Sequence, residues 1–120
     1  MSKSIWKRVA GLALCSALAL PAQAQTQDPA TTYSNGKVLL QQERYDMAMA
    51  ELLPITNATS GNPYAPEASY FYALAALRNN KPKEAYQMLL NLQNQHPNWE
   101  GMADADYLLA NVLFEQNEYE

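Results

Sequence analysis

The stretch that decides the fold runs from Pro66 to Pro97 and reads PEASYFYALAALRNNKPKEAYQMLLNLQNQHP. It divides into two helical segments around a polar turn. Asn79-Asn80-Lys81 carries no apolar residue and leads into Pro82, a residue suited to the first turn of a helix. Ala73 and Ala85 are small, so the two segments can approach closely, and Leu89 and Leu92 give the second segment an apolar stripe. Pro97 stops it. The reading predicts one helix from Pro66 to Arg78 and another from Pro82 to Gln95.

The same pattern echoes on both sides of this stretch with a spacing of 37 residues. Tyr33, Tyr70 and Tyr107 share a register, as do Gly36, Ala73 and Ala110, and Leu40, Leu77 and Phe114. Tyr45, Pro82 and Tyr119 share another; Ala48 pairs with Ala85, Leu52 with Leu89, and Ile55 with Leu92. Several registers agreeing on one period mean a copied supersecondary unit. The units span 29–65, 66–102 and an incomplete 103–120. In the first, Asp28-Pro29 starts a helix that runs to Gln42, and Gln42-Glu43-Arg44 is the turn. Asp46 to Leu53 forms the second helix, which Pro54 limits. Residues 57–63 form a loop rich in turn-forming residues; its Asn57-Ala58-Thr59 also matches a glycosylation acceptor and is read as loop chemistry. The third unit opens with a helix from Met102 to Gln116, followed by Asn117 to Glu120. No strand signal follows the first 24 residues. The expected fold is all-α: an antiparallel helix-hairpin solenoid of about two and a half repeats, each held by its neighbours.

Residues 1–24 read as a signal peptide. Lys3, Lys7 and Arg8 form a basic start, Val9 to Leu20 is apolar, and Ala22-Gln23-Ala24 is a small-x-small cleavage site. The apolar run is too short to span a bilayer, which takes about 20 residues. Cys15, the sole cysteine, follows Leu14, and that bulky residue argues against lipidation there. Cleavage after Ala24 leaves no thiol in the remaining chain, hence no disulfide and no thiolate chemistry. Residues 25–28 are a short polar tail, and the repeat domain occupies 29–120. Without Lys3, Lys7 and Arg8, five basic residues face twelve acidic ones, a net charge of −7. This argues against nucleic acid and anionic lipid as partners. No membrane span is expected in the processed chain.

These residues resemble the tetratricopeptide repeat, a helix–turn–helix with a W-x2-L-G-x2-Y…A-x3-F…P skeleton. The first unit offers Thr32, Asn35-Gly36, Leu39, Ala48 and Leu52. The second offers Ser69, Tyr72-Ala73, Ala76, Ala85, Leu89 and Pro97, and the third Asp106, Leu109-Ala110 and Leu113. The skeleton's tryptophan is not among them. The period is three longer than the family's usual 34, with the extra residues near Glu100-Gly101-Met102. His96-Pro97-Asn98-Trp99 followed by Ala103 to Tyr107 is similar to the joint between repeats in bacterial envelope members of the family. The resemblance implies a periplasmic or outer-membrane-associated adaptor that binds other proteins or peptides of the envelope. It also implies that the first helix of each unit lines a concave face.

On that face the expected partner-binding residues are Tyr33, Lys37, Tyr70, Arg78, Tyr107 and Asn111. Tyrosine offers area and a hydroxyl at low entropic cost. The competing expectation is that the tyrosines pack between adjacent first helices. The carboxylate clamp of chaperone-binding relatives is not reproduced; Tyr33, Lys37, Glu67, Tyr70 and Phe71 stand at those places. His96, the sole histidine, sits at a helix end, where it can complement the dipole. Asp104 and Asp106, two residues apart, fall on different faces of a helix and do not form a catalytic pair. Trp99 is expected as a plug between repeats, with a contact residue as the alternative. No catalytic residue, cofactor site or metal site is named by the sequence.

The third unit stops after its first helix, so the chain is expected to be the N-terminal part of a longer array; if the gene ends there instead, Leu108, Leu109, Val112 and Leu113 are an expected open-end interface and a place for self-association. Two functions of different class follow. One is a non-enzymatic envelope scaffold that binds partners through the concave face. The other is a set of N-terminal accessory repeats of a larger envelope enzyme, with the catalytic part beyond residue 120. Downstream sequence separates them: further helix pairs favour the scaffold, and a mixed α/β pattern favours the enzyme.

Overall fold

The computed structural model of the chain describes residues 27–57 and 61–118. The expected signal peptide and Tyr119 lie outside them. Among these residues five α-helices run in order: α1 Pro29–Gln41, α2 Tyr45–Leu52, α3 Ala65–Arg78, α4 Pro82–Gln95 and α5 Met102–Glu118. A 3-10 turn, Leu53–Ile55, extends α2. The fold is all-α, with no strand among the described residues.

Local chemistry sets the helix ends. Asp28 caps α1: its Oδ1 accepts from Thr31 N–H at 2.8 Å and its Oδ2 from the Thr31 hydroxyl at 3.1 Å. These bonds hold the Asp28 carboxyl below its ordinary value, the Thr31 backbone bond contributing most. Pro29, Pro66 and Pro82 each occupy the first or second position of a helix, where a missing N–H costs little. Pro54 sits in the 3-10 turn, so α2 ends at Leu52, one residue before the expected Leu53. The sequence reading ended the last helix at Gln116, but α5 continues through Asn117 to Glu118. Asn117 has the composition of a turn residue, but it is accommodated within the helix.

The two turns inside the hairpins repeat each other bond for bond. Arg44 N–H donates to Leu39 O at 2.9 Å, and Lys81 N–H to Ala76 O at 2.8 Å. Glu43 N–H donates to Leu40 O at 3.0 Å, and Asn80 N–H to Leu77 O at 3.2 Å. This is the six-to-one and five-to-two bonding of a Schellman ending, which needs a left-handed residue just past the helix. Glu43 and Asn80 supply it, with φ of 61° and 59°. Each turn then opens the next helix alike, through Ala48 N–H to Arg44 O and Ala85 N–H to Lys81 O.

The chain thus folds into hairpin α1–α2, hairpin α3–α4 and the single helix α5. Each helix packs on the next, and α3 also touches both α1 and α5. Small residues make the close approaches: Ala48, Ala68, Ala73, Ala75, Ala76 and Ala85 are fully buried. Gly36 of α1 lies under Leu52 of α2, and a Cβ there would sit about 2.5 Å from Leu52 Cγ. Leu52, Leu89, Leu92 and Val112 are the largest fully buried side chains; each contributes about 1.5–3 kcal/mol by burial. Leu52 and Ile55 cluster with Ala68, Phe71 and Tyr72 of α3, so the first hairpin is glued to the second. Leu89 and Leu92 share a cluster with Ala105, Leu108 and Val112 of α5. No helix among the described residues is long and apolar enough to cross a membrane.

Candidate functional site

The first helices carry a continuous row of aromatic rings. On α1, Tyr33 and Lys37 are one turn apart and share a face. On α3, Glu67, Tyr70 and Phe71 do the same. Tyr33 meets Tyr64 at 5.2 Å between centroids and Phe71 at 6.0 Å. Phe71 meets Tyr70 edge-on at 5.3 Å, and Tyr70 meets Trp99 at 6.2 Å. All five side chains are half-buried, so one flank of each packs on the fold and the other faces solvent. Lys37 Nζ sits over two of these rings, 5.1 Å from the Tyr33 centroid and 5.5 Å from that of Phe71. Both distances fall within cation–π range.

Trp99 reaches this row from the joint between α4 and α5. Its ring folds back over Gly101, where an added Cβ would meet Trp99 Cζ2 at 2.5 Å and Cζ3 at 2.8 Å. Only glycine leaves room for that ring. The indole N–H donates to Glu67 Oε1 at 3.1 Å. The second carboxylate oxygen, Oε2, is buried without a hydrogen-bond partner. Trp99 therefore plugs the joint as expected, and it also ties the joint to the aromatic row.

Tyr33 and Tyr70 pack between the first helices, and a depression lies at the Tyr33–Tyr64 end of the row. Tyr33, Lys37, Tyr64, Val38, Ser34 and Gln41 line this depression of about 450 Å³. Burial pushes the phenols of Tyr33 and Tyr70 above the ordinary value, with the nearby carboxylates of Glu67 and Asp104 adding to it. Both therefore present a neutral hydroxyl at neutral pH.

The six expected contact residues do not all come together. Tyr33, Lys37 and Tyr70 join the row. Tyr107 is 72% exposed and outside its ring contacts; Arg78 and Asn111 are exposed. The three-rung tyrosine ladder is in fact two rungs bridged by Phe71, with Trp99 standing where Tyr107 would continue it. Tyr64 enters the face unanticipated, because a residue of the loop before α3 carries no helical period, and Trp99, expected as a plug or a contact residue, joins it from the joint. Of the expected open-end residues, Leu108 and Val112 are buried and Leu109 is half-buried, since they turn inward onto α4. Leu113 alone of the four is exposed.

His96 follows α4, where its backbone N–H closes onto Leu92 O at 2.9 Å; its Nε2 is buried without a partner. Asp106 accepts from Gln93 at 2.8 Å, and Asp104 is exposed in the first turn of α5. Among the described residues, no three His, Cys, Asp or Glu side chains gather as metal ligands would. Comparison with protein-family models, curated proteins and solved structures gave no match.

Proposed function

We propose that the chain is an exported scaffold of the bacterial cell envelope, built from tetratricopeptide-like repeats, which binds other proteins through the face of α1 and α3. The observation that carries this reading is the aromatic row from Tyr64 to Trp99 with Lys37 seated on it. Half-exposed aromatic rings beside a groove offer large contact area at small entropic cost, and Lys37 supplies a positive charge already partly desolvated. Support for the repeat reading comes from the two hairpin turns, which match bond for bond at a spacing of 37 residues. The contacts of α3 with both α1 and α5 are those expected of stacked hairpins. Support for export comes from the sequence of residues 1–24.

The test is affinity purification of the full chain from the envelope fraction of its native cells, beside the Lys37→Glu and Tyr33→Ala variants. The account predicts that the chain fractionates with the envelope and carries a discrete set of proteins that both variants lose. Retention of the same proteins by both variants, or a cytoplasmic chain, would contradict it.

A further inference from the structure

Lys37 lies over the seam between the two hairpins, because the rings beneath it come from both: Tyr33 of α1 at 5.1 Å and Phe71 of α3 at 5.5 Å. It is half-buried and is the one charged residue of α1. Among the described residues no carboxylate closes an ion pair with it. Glu67, an acid of the same face, is engaged with Trp99 instead and does not line the depression beside Tyr33 and Tyr64. Among the residues that do line it, Lys37 alone is charged. Its neighbours there include Tyr33, Ser34 and Tyr64, whose hydroxyls can donate, and the exposed Val38. Burial keeps the Tyr33 phenol protonated, so it remains a donor. The fold thus leaves a partly desolvated positive charge without a counter-charge, among donors and apolar surface. An ion pair formed there is stronger than one in bulk water.

Charge and position narrow the occupant. The whole chain carries a net charge of −4, so a polyanion such as a nucleic acid or an anionic membrane meets repulsion around this one cation. A single carboxylate flanked by uncharged groups does not. The rings run in the order Tyr64, Tyr33, Phe71, Tyr70, Trp99, and Lys37 sits over the second and third. A segment lying along the row therefore has chain on both sides of Lys37, which makes its acid a side chain within the segment and not a chain terminus. We infer that the α1–α3 seam takes an acidic segment of a partner protein, whose internal aspartate or glutamate pairs with Lys37 while apolar side chains on either side of that acid lie against the rings. This rests on the reading of the α1–α3 face as a protein-binding surface and names what that face selects.

The probe is a library of random peptides displayed on phage, selected against the full chain and, in parallel, against its Lys37→Gln, Lys37→Glu and Tyr33→Ala variants, each checked for unchanged helical circular dichroism. The parent chain is expected to enrich peptides with an internal Asp or Glu between apolar residues. Lys37→Gln should lose the acid from its selected set, and Lys37→Glu should replace it with Lys or Arg. A selected peptide synthesised with its acid changed to the amide should bind the parent about tenfold more weakly by fluorescence anisotropy, and Lys37→Gln no differently. Selected peptides without an internal acid, or with one that Lys37→Gln selects equally, would overturn the inference. If Tyr33→Ala abolishes the binding of those peptides, the face still binds protein and only its choice of an acid fails. If Tyr33→Ala leaves their binding intact, or if nothing is enriched, the reading of the face falls with the inference.

Discussion

Glu43 and Asn80 lie 37 residues apart and hold the same left-handed backbone conformation, with φ of 61° and 59°. Each closes the first helix of its hairpin through equivalent hydrogen bonds. Asparagine tolerates this conformation, whereas glutamate gains nothing from it. Glu43→Gly is therefore expected to stabilise the chain by about 1 kcal/mol, and Asn80→Ala to destabilise it by a similar amount. Urea denaturation of the two variants beside the parent chain checks both signs.

Gly36 and Leu52 set the spacing of the first hairpin. Gly36→Ala would drive a methyl group into Leu52, costing about 1–3 kcal/mol. Leu52→Ala, which empties a fully buried site, should cost about 2–5 kcal/mol. Because the second change makes room for the first, the double variant should lose less than the two single losses combined. A double-mutant cycle in denaturant measures that coupling.

The Trp99–Glu67 bond anchors the joint to α3. Trp99→Phe keeps an aromatic side chain but removes the pyrrole ring with its donor, leaving a part-buried carboxylate with neither oxygen paired. The expected loss is about 1–3 kcal/mol. Adding Glu67→Gln to Trp99→Phe removes the stranded charge and should recover part of that loss. Thermal melts of the single and double variants test it.

Stability should fall on both sides of neutrality, for different groups. The Asp28 carboxyl titrates below its ordinary 3.8 when folded. Its contribution is present above that value and fades as the pH drops through the folded value. Asp28→Ala should thus lower the melting temperature at pH 7, with the difference closing in acid. The phenols of Tyr33, Tyr70 and Tyr72 titrate above their ordinary 10.0, chiefly through burial. The fold holds their protons more tightly than the unfolded chain does, so their contribution is full below pH 10.0 and is lost as the pH rises through the folded values. Melting temperatures recorded against pH, with tyrosine ionisation followed in parallel, check the alkaline limb.

Most helix ends were legible because prolines and polar turns mark them: Pro29, Pro82, Asn79-Asn80-Lys81 and Pro97. The exceptions have local causes. Leu53 left α2 because Pro54 imposed a 3-10 turn, and Asn117 stayed within α5 although its composition suits a turn. Of the candidate site, the 37-residue register picked out Tyr33 and Tyr70. It did not reveal that Phe71 bridges them, because Phe71 follows Tyr70 directly and its register partners, Ser34 and Leu108, are not aromatic. Tyr64 and Trp99 lie in connections, where position depends on tertiary packing and periodicity says nothing. The register also carried Tyr107 into the ladder, although Trp99 already packs against Tyr70 from the joint.

The central claim is that the face of α1 and α3 meets other proteins. It is tested most directly by site-specific photocrosslinking in the native cell envelope. One photoreactive residue replaces Ser34, beside Tyr33 and Lys37, and another replaces Asn91 on α4, in the separate depression lined by Tyr72, Lys83 and Gln87. The account predicts discrete protein adducts from position 34, absent at position 91 and abolished by Lys37→Glu. Equal adducts at both positions, or adducts from position 91 alone, would contradict it.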